Sequence, residues 1–156
     1  MSQTMHHTTS SARRCARPAA CASRFAASIN RQSFKTLSLT GRLTLRPEPG
    51  NATARWVWKV IVDGKVGNSR TTIGLFLDGD LESGEHDLID HPQINVIYNE
   101  TLHRKNTLYH SAHFQGGTLT LLEANPCTLR IRGVFGFSMS SINLEVTDGA
   151  FDVYCR

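Results

Sequence analysis

Between Gly117 and Val153 apolar residues recur at every second position, a period that an α-helix cannot gather onto one face. Leu119 and Leu121 fall together, then Leu129, Ile131, Phe135 and Phe137, then Ile142, Leu144 and Val146, then Phe151 and Val153, with short turn-like breaks between the sets. Successive side chains of a strand point to opposite sides, so each set predicts one buried face with polar residues toward solvent, and the whole predicts an antiparallel meander.

The same rhythm runs upstream. Phe25 to Phe34 holds two short extended pieces around Asn30-Arg31-Gln32, which predicts a tight hairpin. Leu37, Leu39, Leu43 and Leu45 alternate, with Gly41 as the expected bulge, and Pro47, Pro49 and Gly50 supply a turn. Trp56, Trp58, Val60 and Val62 then share a face up to an expected turn at Asp63-Gly64, and Ile73, Leu75 and Leu77 do the same before Asp78-Gly79. Further strands are expected near Ile94 to Tyr98 and Leu108 to Gln115, joined by the polar stretch NETLHRKN, and the best place for a short helix is Ser83 to Asp90. Turn residues return about every 8 to 12 positions, the spacing of sandwiches and barrels. The expectation is all-β: an antiparallel β-sandwich or flattened barrel of about nine or ten strands.

A chain of 156 residues suits one domain with a real core. Its net charge of +4 conceals a division: residues 1 to 47 carry eight Lys or Arg and no acid, while the rest carries nine against thirteen Asp and Glu. Residues 1–24, rich in Ser, Thr, Ala and Arg, have too little apolar surface to offset ordering entropy, so the reading is a disordered basic arm before a single domain at 25–156. Nucleic-acid binding would place the basic residues on the folded part with aromatics among them, and they are not placed so. The arm is interrupted by Arg17, Pro18 and Arg24 where a secretory leader needs an apolar stretch, which points to the cytoplasm by default. No segment approaches the length of a membrane-spanning apolar helix.

The frame F-x-A-x-I-N-x-Q-x-F at Phe25 to Phe34, followed downstream by G-T-L-T-L, R-G-V-F-x-F and V-T-D-G-x-F-D-V, resembles a group of small bacterial all-β domains, many of them lipoproteins. The resemblance spans roughly residues 25 to 156 and implies an opening hairpin, a meander ending in G-x-F-x-F, and an N/D-G-x-F turn and strand. It implies no catalytic residues, and it allows a place in the cell envelope. Arg31 stands where that group usually has Gly.

Three sets of residues are candidates for chemistry. His86, Asp90 and His91, in H-D-L-I-D-H, provide metal donors, and helical geometry would put 86 and 90 on one face. An open zinc site takes three protein ligands, so this reading requires His103, His110 or His113 as well; the plainer alternative is an acidic surface loop. His110 alternates with Leu108, Ala112 and Phe114 and is expected to point inward, where a polar group is either paired or used to line a cavity. Trp56 and Trp58 invite a ligand-binding reading, although their alternation with Val60 and Val62 is that of core aromatics.

No serine sits in a G-x-S-x-G elbow, and no Gly-rich loop opens a helix to cradle phosphate. Cys127 and Cys155 pair only if the turn after Asn125-Pro126 lies beside the C-terminal end of the last strand; the plainer reading is free thiols. The residues therefore predict a non-enzymatic binding or interaction module without a cofactor, whose partner is a protein or a small apolar ligand. The second reading is a metal-binding protein or metal-dependent hydrolase using His86, Asp90 and His91.

Overall fold

The hairpins explain how this chain becomes sheet. In the computed structural model, which describes residues 22–47 and 54–156, Asn30 and Arg31 have φ of 49° and 65°. Two consecutive left-handed residues make a turn whose twist matches that of the strands it joins. The turn connects β1 (Arg24–Ile29) to β2 (Gln32–Ser33), and Asn30 fastens it through its backbone N–H to the Glu145 carbonyl and its side-chain oxygen to the Glu145 N–H, both at 2.8 Å. Arg31 thus takes the conformation for which Gly is the usual residue.

The device recurs at His103 and Arg104, with φ of 48° and 65°, between β7 (Ile94–Leu102) and β8 (Lys105–His110). The polar stretch expected to connect these strands is therefore mostly strand, closed by a two-residue turn. Between β4 (Ala54–Val66) and β5 (Ser69–Asp78) the turn falls at Gly67-Asn68, and Asp63-Gly64, expected to turn, lies within β4. Gly64 is needed for another reason: a Cβ there would collide with the Lys35 carbonyl and the Phe34 ring.

The remaining strands are β3 (Lys35–Pro47), β6 (Gly84–Asp87), β9 (Gly116–Asn125), β10 (Arg130–Met139) and β11 (Leu144–Tyr154). All pairings are antiparallel, in one sheet of order β2-β1-β11-β10-β9-β6 and another of order β3-β4-β5-β7-β8. Among the described residues the architecture is a β-sandwich of eleven strands, one of them only two residues long, and not a barrel. The short helix expected at Ser83 to Asp90 is instead the edge strand β6 and a turn; the described residues contain only single-turn 3-10 segments, at Ser111–His113 and Ser140–Ile142. The arm reading for residues 1–24 falls mainly outside the described residues, as does most of the Pro47-Pro49-Gly50 turn.

Two bulges differ from expectation. In β3 the register shifts between Thr36 and Ser38, so the extra residue is Leu37, which is half exposed, and not Gly41. Gly41 is where β3 meets the last strand: an added Cβ would lie 2.5 Å from Val153 Cγ1 and 2.9 Å from Cys155 Sγ. In β11 the Asp148-Gly149 pair, expected as a turn, is a bulge in one continuous strand, with Asp148 at φ 52°. The bulge carries the buried set from even positions, Leu144 and Val146, to odd ones, Phe151 and Val153.

The alternating residues fill the space between the sheets. Val60, Val62, Ile73, Leu75, Val96, Leu119 and Ile131 have no exposed surface, and Phe114 and Phe137 stack with ring centres 4.3 Å apart. Fully burying each aliphatic side chain contributes roughly 1.5–3 kcal/mol, which is why this face, and not the turns, holds the fold together.

Candidate functional site

At one end of the sandwich the opposing sheet stops short of β4. Trp58 pairs with Leu43 on β3 and Leu77 on β5 and is 2% exposed; Trp56, on the same face one step nearer the strand's beginning, is 53% exposed. The core placement expected for both indoles holds for Trp58 alone. Between them and the facing loops opens a cleft of about 670 Å³, lined by Leu43, Trp56, Trp58, Gly79, Asp80, Pro126, Leu129 and Arg156.

Each wall is fixed by a local cause. The turn after β5 folds tightly on Trp56, with the Gly79 N–H donating to the Trp56 carbonyl at 2.7 Å; a Cβ on Gly79 would come within 3.0 Å of that carbonyl. Asp78 shapes the same turn, accepting from the Asp80 N–H at 2.9 Å and pairing with Arg55 at 3.2 Å. On the far side Asn125 makes an Asx turn, its side-chain oxygen accepting from Cys127 N–H at 2.9 Å and Thr128 N–H at 3.3 Å. Leu129 closes that turn at φ 58°, a conformation that a bulky side chain rarely takes. Its carbonyl accepts from the Cys155 N–H at 2.7 Å, and the Arg156 N–H donates to the Gly41 carbonyl at 3.1 Å, which ties the end of the last strand to both sheets.

The cleft has the size and composition of a small-molecule site: concave, mostly apolar, with a few polar groups at the mouth, here Asp80 and Arg156. The indole face of Trp56 is a flat, rigid surface for a planar or aliphatic ligand. Leu129 adds backbone strain of about 1–3 kcal/mol, a cost that recurs at binding and catalytic positions. Alternation singled out Trp56 and Trp58. It did not mark Asp80, Pro126 or Arg156, whose roles arise from where the turns of one sheet meet the other, and it placed Leu129 on a strand.

The other candidates lie elsewhere. His110 is exposed, contrary to the inward orientation expected, because β8 ends there and the 3-10 turn at Ser111–His113 resets the alternation before Phe114 enters the core. Tyr109, on the other side of the strand from His110, is the residue that packs toward Tyr98, with ring centres 6.5 Å apart. His86 and His91 do approach each other, with ring centres 5.2 Å apart and planes at 88°. One ring nitrogen of each is engaged locally: His86 Nε2 donates to the Glu82 carbonyl at 2.6 Å and His91 Nδ1 accepts from the Gln93 N–H at 3.1 Å. Asp90 occupies an exposed turn at φ 53°, and among the described residues no three His, Cys, Asp or Glu side chains converge. Cys155 is a buried thiol and Cys127 is disulfide-bonded, so the two do not pair with each other and the free-thiol reading fails for Cys127.

No protein-family model, curated protein or solved structure matches the chain.

Proposed function

We propose that this protein is a non-enzymatic binding module that takes up a small apolar ligand in the cleft beside Trp56. The observation that carries this reading is the contrast within one strand: an exposed indole stands over an apolar cleft of about 670 Å³ whose floor is the buried Trp58. Leaving a large aromatic surface in water forfeits about 25 cal/mol for each Å² that burial would remove, so a ligand that covers Trp56 and Leu129 gains from both. Asp80 and Arg156 at the mouth offer one group of each charge to the polar end of such a ligand. The cleft volume suits a molecule of drug-like size, not a protein face. The resemblance of the sequence to lipoprotein-rich bacterial domains implies an opening hairpin and a closing meander, and a binding role fits either an envelope or a cytoplasmic setting.

The test is a titration with 1-anilinonaphthalene-8-sulfonate, which joins fused aromatic rings to one anionic group. Saturable dye emission that is lost in Trp56→Ala, while the thermal transition stays in place, supports the reading. Emission unchanged in Trp56→Ala refutes it.

A further inference from the structure

We infer that the opposite end of the sandwich holds a second site, for a small organic cation such as a primary ammonium. Along β4 this end is ten residues from Trp56, about 33 Å at the rise of an extended strand, and it shares no residue with the cleft. A cavity of about 210 Å³ lies between the β1–β2 hairpin, the start of β5, β7 and the start of β11. At about 30 Å³ per water it is large enough for several waters or one small molecule.

Its polar groups are unusual for the space between two apolar faces. Thr71 is 2% exposed, and its hydroxyl, though near enough to the Tyr98 hydroxyl to lower that group's pKa against the effect of burial, completes no hydrogen bond of normal geometry. A buried hydroxyl left in that state is unfavourable, so its presence points to a guest that satisfies it. Tyr98 is equally buried, and burial together with the nearby Glu100 carboxylate pushes its hydroxyl up to about 12, so it remains protonated at neutral pH. Glu100 is half-buried and is the one charged side chain among the described residues lining the cavity, which include no Lys, Arg or His. An anion would face that carboxylate without a counter-charge, and a divalent metal would find one carboxylate where it needs several donors. An ammonium gains a charge-assisted hydrogen bond to Glu100 and can donate to Thr71 Oγ1 as well.

The experiment follows backbone amide resonances of the full chain during titration with ethanolamine, ethylene glycol and acetate. The proposal expects saturable shifts at Thr71, Tyr98 and Glu100 with ethanolamine, binding of ethylene glycol weaker by about tenfold or more, and none for acetate. Glu100→Gln should weaken ethanolamine by a similar factor and leave ethylene glycol unchanged. The comparison of probes in the unsubstituted protein decides the matter even if that variant folds poorly. Equal affinity for ethanolamine and ethylene glycol, shifts confined to other regions, or no shifts at all, meaning that the cavity holds only water, would overturn the proposal.

Discussion

Trp56 and Trp58 stand two residues apart on the same face of β4, yet the first is 53% exposed and the second 2%. Their substitutions should therefore separate stability from binding. Trp58→Ala removes a buried aromatic and should cost about 3–5 kcal/mol in chemical denaturation. Trp56→Ala should cost less than about 1 kcal/mol while abolishing dye binding in the cleft. Comparable losses of stability in both would mean that Trp56 belongs to the core.

Leu129 tests whether strain is held for the sake of the cleft. Leu129→Gly relieves a left-handed conformation that Leu tolerates poorly, but it gives the unfolded chain more freedom and removes an apolar wall. The urea midpoint should therefore change little, with opposing effects of about 1 kcal/mol, while affinity for the dye falls. A large drop in stability with unaltered affinity would make Leu129 a core residue.

The outer face of the β10–β11 pair gives a pH dependence with a definite sign. Arg130 donates two hydrogen bonds to Asp152, at 2.9 and 2.8 Å, and these hold the Asp152 carboxyl below its ordinary value of 3.8. A lowered folded value stabilises the native state fully above the ordinary value, and that contribution is lost as pH falls through the folded value. The difference in urea midpoint between the unsubstituted protein and Asp152→Asn should be constant near neutrality and shrink as pH drops below 3.8. A difference that grows on acidification would show the opposite sign and reject the assignment.

The histidine pair makes a prediction about metal. Because His86 and His91 direct nitrogens to backbone groups, and no third donor joins them among the described residues, purified protein should hold no stoichiometric zinc. Elemental analysis after dialysis, with thermal unfolding in the presence of a chelator, measures this. One equivalent of zinc lost on His91→Ala would promote the metal-site reading.

The sheet architecture was legible because the interior imposes a period of two: Leu119, Ile131, Phe135 and Val153 are buried as their alternation predicts. Where the period breaks, the sequence alone did not say how. The change from even to odd positions between Val146 and Phe151 fits a turn or a bulge equally well, and only continuous pairing with β10 decides for the bulge. A 3-10 turn at Ser111–His113 likewise inverted the side of His110. The cleft was half legible. Alternation gives the face on which Trp56 lies but not where the opposing sheet ends, so an indole that is core by pattern is a cleft wall in the fold.

The central claim, that a small apolar ligand binds beside Trp56, is met most directly in the indole region of the proton–nitrogen spectrum. The chain has two tryptophans, so two indole N–H signals report the cleft wall and its floor, and Trp56→Phe assigns them. On titration with 1-anilinonaphthalene-8-sulfonate the Trp56 signal should move saturably, with a smaller movement for Trp58 and accompanying shifts at Leu43 and Leu129. A Trp56 signal that stays fixed while the dye binds elsewhere, or while no resonance moves, would contradict the account.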